Sequence, residues 1–145
     1  MRVKSSNWRE IRFSYVKTND EGCDKMVCET YVIDAPTYSD AETSFLENIM
    51  PYVNGEYSIK AIAVPRYSEI LFSDNNQDDK FYLANIQFIT VDEKTEREKK
   101  TSKFYLVQAN TFDTAKKYIE QEMEKSMCDY VVKSIRETNV MDVFE

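Results

Sequence analysis

The chain has 145 residues, a net charge of -7 at pH 7 and an apolar fraction of 42%. This length and composition can fill a hydrophobic core, which excludes wholesale disorder. The acidic balance repels a phosphate backbone or an anionic lipid surface, so we expect binding to neither nucleic acid nor a membrane.

The first half of the chain predicts a hairpin, a helix and two closing strands. Apolar and polar side chains alternate at residues 9–16, which is typical of a half-buried strand. Ser39 with Glu42 three residues later has the form of a helix capping box, and Asn54-Gly55 is a helix stop signal. The predicted elements are strands at 9–16 and 27–33, a helix capped by Ser39, and strands at 57–64 and 67–72.

The second half repeats this order after residues 73–79, a polar and turn-rich segment that predicts a linker. Its predicted elements are strands at 81–91 and 103–108, a helix capped by Asp113, and strands at 130–135 and 140–144. In each predicted helix three apolar residues recur at helical spacing. They are Ala41, Phe45 and Ile49 in the first helix, and Ala115, Ile119 and Met123 in the second.

The two halves also match residue by residue. Segments Tyr31–Ala41 and Tyr105–Ala115 keep Tyr, Ala, Thr and Ala at the same places. With one extra residue in the second hairpin loop, the match extends in both directions. It pairs Trp8, Ile11, Phe13 and Tyr15 with Phe81, Ala84, Ile86 and Phe88, and it pairs Tyr57, Lys60, Ile62 and Glu69 with Tyr130, Lys133, Ile135 and Asp142.

These observations predict an α+β fold built by tandem duplication of one ββαββ unit. The first copy spans residues 1–72, residues 73–79 form the linker, and the second copy spans residues 80–145. We expect mostly antiparallel sheets, each covered by one helix. Because one helix covers only one face of a sheet, we expect the copies to pack together as one globule about a pseudo-twofold axis.

The repeated Tyr-x-x-x-Ala-x-Thr-aromatic-x-x-Ala element, with the closing segments Tyr67–Phe72 and Met141–Phe144, resembles a known family. It is the uncharacterised domain-of-unknown-function family of short proteins found in Bacteroidetes and their phages. The resemblance runs from about Trp8 to Phe144. It implies the same fold and a cytoplasmic setting. It implies no activity, because the family has no established one.

The cysteines indicate a reducing compartment. Cys23, Cys28 and Cys128 are odd in number and have no matched spacing, so they do not form a disulfide framework. Three thiolates could in principle serve zinc, but the C-x-x-C spacing and a fourth ligand of the usual kind are missing. We therefore expect a cytoplasmic protein without a metal site.

Catalytic chemistry is poorly represented in the sequence. There is no histidine, which removes histidine-dependent triads and the usual neutral-pH acid and base. The only glycines are Gly22 and Gly55, too few for a phosphate loop, a dinucleotide fingerprint or a nucleophile elbow. We expect no catalytic residues, no cofactor and no enzymatic activity.

Six residues at matched positions are candidates for a ligand site at the pseudo-twofold axis. Glu69 and Asp142 could meet there as an acid pair or a cation site. The lysines and tyrosines of the third strands could line an anion pocket; they are Tyr57, Lys60, Tyr130 and Lys133. The alternative is that the carboxylates and lysines are solvated strand residues and the tyrosines belong to the core.

These features favour a non-enzymatic binding or adaptor protein. It would contact a partner protein through an edge strand or an open sheet face, with a homodimer as a further option. One alternative is an acidic decoy, such as a phage-encoded inhibitor of a host protein that handles nucleic acid. Another is a small-ligand binder with its site at the symmetry axis.

Overall fold

Nine strands and two helices make up the fold, and the computed structural model describes residues 1–145. The strands are β1 (Arg2–Ser5), β2 (Trp8–Thr18), β3 (Asp24–Asp34), β4 (Tyr57–Ala63), β5 (Glu69–Phe72), β6 (Lys80–Val91), β7 (Glu98–Ala109), β8 (Asp129–Glu137) and β9 (Val140–Phe144). The helices are α1 (Tyr38–Ile49), which a 3-10 turn at Met50–Tyr52 extends, and α2 (Phe112–Met123). The α+β class is confirmed.

The strands form two sheets. One is five-stranded in the order β1-β5-β7-β6-β8, and the other is four-stranded in the order β4-β2-β3-β9. Most neighbours are antiparallel, as expected, but β5 runs parallel to β7 and β9 runs parallel to β3. Helix α2 packs on β6, β7 and β8, and helix α1 packs on β3 and β4. Each sheet therefore has one helix.

The chain divides into two compact units that each combine distant segments. Unit 1 contains residues 1–5 and 66–138, and unit 2 contains residues 6–65 and 139–145. This division differs from the predicted boundaries. The closing strand β5 pairs with β7, and the closing strand β9 pairs with β3, so each lies in the sheet of the other half. The predicted linker at 73–79 joins β5 to β6 inside unit 1.

The long hairpin of unit 2 shows how the local sequence sets the register. Strand β2 pairs with β3 from Trp8 opposite Asp34 to Thr18 opposite Asp24. In the turn, the Asn19 side chain accepts hydrogen bonds from the backbone N–H groups of residues 21 and 23. Gly22 adopts φ of 79°, a left-handed conformation that glycine reaches without steric cost.

The N-cap of each helix lies two residues before the predicted one. Thr37 is the N-cap of α1, and its hydroxyl accepts from the Asp40 N–H at 3.1 Å. Thr111 caps α2 in the same way. The predictions of Ser39 and Asp113 as caps are wrong, because the extended backbone that a cap requires occurs at the two threonines.

The predicted helix faces are confirmed. Ala41, Phe45 and Ile49 are buried in unit 2, and the corresponding α2 residues are buried in unit 1. The core of unit 2 places Phe45 against β-strand residues that include Phe13 and Tyr31. Three of the nine buried residues of this core are aromatic, so the loss of one large ring would leave a large cavity.

In unit 1 the loop between β5 and β6 is fixed by one buried carboxylate. Asp78 is only 3% exposed. Its Oδ2 accepts hydrogen bonds from the Tyr118 hydroxyl at 2.6 Å and from the Ser73 hydroxyl. Because Tyr118 lies on α2, this carboxylate attaches the loop to the helix. The hydrogen bond to Asp78 is the main cause that raises the pKa of Tyr118.

We expect Tyr118→Phe to lower the free energy of unfolding by about 1–3 kcal/mol, because it removes a donor from a buried carboxylate. Urea unfolding followed by circular dichroism measures the change. Tyr130→Phe is the matched control, since that ring also packs on the unit 1 core but its hydroxyl makes no hydrogen bond. Equal effects of the two substitutions would contradict the role assigned to Asp78.

Candidate functional site

The six predicted site residues are divided between the two units. Unit 2 holds Tyr57 and Lys60 on β4 and Asp142 on β9, and unit 1 holds Tyr130 and Lys133 on β8 and Glu69 on β5. In unit 2, β4 and β9 are opposite edges of the sheet, three strand spacings or about 14 Å apart. In unit 1, β6 and β7 separate β5 from β8. Neither unit brings its carboxylate beside its lysine, and one shared site for all six stays a prediction.

In unit 1, Glu69 instead binds a lysine that the sequence did not single out. Lys103 Nζ donates to Glu69 Oε1 at 2.7 Å and lies 5.3 Å from the centroid of the Tyr105 ring. The parallel register sets Glu69 beside Tyr105, and Lys103 precedes that tyrosine by two residues on the same face of β7. The hydrogen bond to Glu69 is the largest cause that raises the pKa of Lys103. We call these three residues the lysine cluster.

Unit 2 has the same backbone arrangement with a different charge. The parallel register sets Asp142 beside Tyr31, as it sets Glu69 beside Tyr105. Two residues before Tyr31 stands Glu29, at the strand position that a lysine occupies in unit 1. The two carboxylate oxygens of Glu29 accept from the hydroxyl of Tyr31 at 2.5 Å and from that of Tyr15 at 3.1 Å. No basic side chain forms an ion pair with Asp142.

A surface pocket lies at this edge of unit 2. Its volume is about 300 Å³. We call it the aromatic pocket, and its lining residues are Tyr31, Ile49, Tyr52, Met141, Asp142 and Phe144. The Phe144 ring stacks on that of Tyr31, with centroids 5.7 Å apart and planes 12° apart.

The local fold explains why these side chains converge. Helix α1 ends at Ile49, and the 3-10 turn that follows places Tyr52 over the same edge with 79% of its surface exposed. Strand β9 adds the other wall, because alternate residues Asp142 and Phe144 point to one side. The pocket thus combines aromatic faces with a single carboxylate.

The hydroxyls of Tyr31 and Tyr15, which donate to Glu29, have raised pKa values. Burial is the largest cause that raises the pKa of Tyr31, and the hydrogen bond and negative charge of Glu29 raise it further. The pKa of Tyr15 is raised for the same reasons in the same order. Both hydroxyls therefore stay hydrogen-bond donors to Glu29, and the only charged side chain that lines the pocket is Asp142.

The raised pKa of Tyr31 predicts a loss of stability at alkaline pH. The folded state holds this proton more tightly than the unfolded chain, whose tyrosine pKa is about 10. The stabilisation is therefore complete below pH ~10 and is lost as the pH rises through the folded pKa. Urea midpoints at pH 8, 9.5 and 11 should fall less steeply for Tyr31→Phe than for the wild type. Tyr52→Phe is the control. If the midpoints of Tyr52→Phe or of the wild type fall with pH as little as those of Tyr31→Phe, the pKa of Tyr31 does not cause the loss of stability.

One sequence pattern distinguishes the two tyrosine sites. Tyr31 and Tyr105 are matched residues, and the residues two positions before them are Glu29 and Lys103. The residue two positions before the matched tyrosine is negatively charged in the first half and positively charged in the second, so the two tyrosines have different electrostatic surroundings. Tyr52 had no such signal, because its position depends on the turn after α1.

Cys23, Cys28 and Cys128 are exposed and free. No group of three or more cysteine, aspartate or glutamate side chains lies close enough together to hold a metal ion. Neither helix has the length and apolarity that crossing a bilayer requires.

Comparison with known protein families gives a match. A protein-family profile matches residues 7–145, which include the whole of the aromatic pocket. The chain belongs to the family described as Domain of unknown function (DUF4494). Comparison with curated proteins gives no match, and comparison with solved structures gives none either. The DUF4494 match confirms the resemblance to an uncharacterised family, and it leaves a Bacteroidetes or phage origin as a prediction.

Proposed function

We propose that the chain is a non-enzymatic binding protein that holds a partner protein at the aromatic pocket. The observation that carries the proposal is the composition of the pocket: three aromatic rings and one carboxylate at a surface edge. Tyr52 is 79% exposed and Met141 is 54% exposed. Tyrosine, methionine and phenylalanine are enriched in protein interfaces. Exposed apolar surface of these residues is unfavourable in water, and a partner that covers it removes that cost.

The size of the pocket favours one side chain of a partner over a whole small ligand. A volume of about 300 Å³ is at the lower end for small-molecule sites. Strand β9 beside the pocket is an edge strand, so its outer side has no strand partner. An extended segment of a partner could pair there while its side chain enters the pocket, which is a common mode of peptide recognition.

Charge favours a basic partner. The chain carries a net charge of -7, and Asp142 in the pocket has no basic partner within the chain. Electrostatic attraction would raise the association rate and would make binding weaker at high salt. An acidic inhibitor of a protein that handles nucleic acid is the narrower candidate, because such proteins are basic where they hold the phosphate backbone.

We further propose that the chain arose by tandem duplication of a ββαββ unit. Matched residues support this, because Tyr31 lies between Ile11 and Asp142 while Tyr105 lies between Ala84 and Glu69. Irregularities in strand pairing also recur at matched places, after Arg12 in β2 and after Asn85 in β6. Duplication would explain why the two units share this backbone arrangement, with an internal lysine in the lysine cluster of unit 1 and none in the aromatic pocket of unit 2.

Site-specific crosslinking tests the proposed function. The photoreactive residue p-benzoylphenylalanine would replace Tyr52 in one variant and Met127, a fully exposed residue of unit 1, in a control. Irradiation in a lysate of the source organism should give a protein adduct from position 52 and none from position 127. Adding Asp142→Asn should reduce that adduct several-fold. Absence of an adduct at position 52, or the same adducts at both positions, would contradict the proposal.

Native mass spectrometry separates this proposal from the small-ligand alternative. A partner protein bound through the pocket gives a complex whose abundance relative to the free chain falls several-fold in Asp142→Asn. A small non-covalent mass that disappears on denaturation would favour the small-ligand alternative instead.

A further inference from the structure

We infer that the aromatic pocket binds the ammonium group of a lysine side chain from the partner protein. This inference rests on the proposed function and names the chemistry of the group that the pocket accepts. Its basis is a comparison within the chain, since unit 1 already holds a lysine in the corresponding arrangement.

The lysine cluster shows what this arrangement accepts. The ammonium of Lys103 is held by the carboxylate of Glu69 at 2.7 Å, and the ring of Tyr105 lies within cation–π range at 5.3 Å. Carboxylate and tyrosine come from neighbouring parallel strands in register, so their relative position is set by the sheet. The lysine comes from the same strand as the tyrosine.

Unit 2 keeps the carboxylate and the tyrosine and lacks the lysine. Asp142 and Tyr31 stand in the same parallel register, and Glu29 occupies the strand position of the missing lysine. The two oxygens of Glu29 already accept from two tyrosines. Neither carboxylate therefore has an internal cation. Asp142 lines the pocket of about 300 Å³.

The lining of the pocket suits a lysine in particular. The exposed ring of Tyr52 and the half-buried ring of Phe144 can attract a cation, and Asp142 can form a charge-assisted hydrogen bond with it. Apolar atoms of Ile49 and Met141 can cover the four-carbon stem of a lysine, which buries its stem while its charge stays solvated or paired. The internal example is also a lysine rather than an arginine.

Titration with a minimal lysine tests the inference. The probe is Nα-acetyl-lysine-N-methylamide, and the uncharged control is Nα-acetyl-norleucine-N-methylamide, which keeps the stem without the ammonium. Two-dimensional NMR should show shifts of Tyr31, Tyr52 and Met141 with the lysine probe at a Kd on the order of 1–10 mM. The norleucine probe should bind at least about fivefold more weakly, because it lacks the cation–π and carboxylate contacts.

Two variants sharpen the test. Asp142→Asn changes one exposed group and should weaken binding of the lysine probe about fivefold or more. Glu29→Lys places an internal ammonium beside Tyr31 and Asp142, as in the lysine cluster, and should abolish binding. Dispersed spectra establish that each variant is folded. If Glu29→Lys does not fold, Asp142→Asn and the norleucine probe still decide the question.

Several outcomes would overturn the inference. Equal binding of the lysine and norleucine probes would show that the ammonium is not recognised, as would unchanged binding by Asp142→Asn. Tighter binding of the corresponding arginine amide or of spermidine would assign the pocket to a guanidinium or a polyamine instead. If the crosslink at position 52 persists while the lysine probe fails, the proposed function stands and only the lysine assignment falls.

Discussion

Replacing Phe45 by alanine is expected to lower the free energy of unfolding by about 3–5 kcal/mol, the usual loss for a large aromatic residue in a core. Phe45 is fully buried. Its ring lies 5.1 Å from that of Phe13, 5.3 Å from that of Tyr31 and 6.0 Å from that of Phe144. Removing the ring deletes all three aromatic contacts at once and leaves a cavity under α1. A domain is stabilised by only about 5–15 kcal/mol, so this single change should remove a large share of the total.

Chemical denaturation followed by circular dichroism measures this change. The matched control is Phe112→Ala, which removes the same ring from a position that is 49% exposed at the start of α2. We expect the control to cost about 1 kcal/mol or less. Phe45→Leu should fall between the two, because it keeps much of the buried volume. If Phe45→Ala and Phe112→Ala shift the midpoint equally, the packing described for α1 is incorrect.

Removing residues 140–145 is expected to have the second large effect. The deletion takes away β9, which is the parallel neighbour of β3, together with the Phe144 ring that stacks on Tyr31. It also exposes the apolar surface that Val140 and Phe144 cover. A fully buried side chain of this kind contributes about 1.5–3 kcal/mol; Val140 is buried but Phe144 is half-buried, so we expect a loss of about 2–4 kcal/mol. The aromatic pocket loses half of its lining at the same time.

Two measurements separate the structural and functional results of this deletion. Denaturation gives the loss of stability, and Met141→Ala is the control, since it alters an exposed residue of the same strand. Titration with the lysine probe gives the loss of binding. A truncated chain with an unchanged midpoint would show that β9 does not stabilise unit 2, and retained binding of the probe would place the site elsewhere.

Sequence patterns predicted both helices and eight of the nine strands, because each of these elements satisfies a local rule; the four-residue strand β1 was not predicted. Alternation marked the long strands, and spacing of four residues marked the buried faces of both helices. The predicted caps were wrong by two residues. Serine, threonine and aspartate all serve as caps, so the sequence offers several candidates within one turn, and only the backbone conformation selects Thr37 and Thr111.

The placement of the closing strands could not be read from periodicity. Strand β5 has only four residues, and its apolar pattern fits the open edge of either sheet. The structure pairs it with β7, and it pairs β9 with β3. Such pairings depend on contacts between residues distant in sequence, which local patterns do not encode. The predicted unit boundaries differ from the observed ones for this reason.

The candidate site was predicted in part. Glu69 and Asp142 were identified from the repeat, and each lies beside a matched tyrosine. The third-strand tyrosines and lysines lie at the other edge of each sheet, because strand order separates β4 from β9 and β8 from β5. Lys103 and Glu29 escaped notice because charged residues in a hairpin usually face solvent. Their role depends on the parallel strand that packs beside them.

The interlaced chain path has a consequence for synthesis. When residues 1–138 have emerged from the ribosome, every segment of unit 1 is available, but unit 2 has only its first segment, residues 6–65. Until residues 140–144 emerge, the side of β3 that β9 will cover has no parallel neighbour, and the rings beside it are uncovered. Residues 6–65 are therefore synthesised early, but unit 2 is completed only when its last segment emerges. On the nascent chain, the edge of β3 in the first hairpin therefore stays unpaired for the longest time. We expect a chaperone that binds unpaired strand edges to bind there.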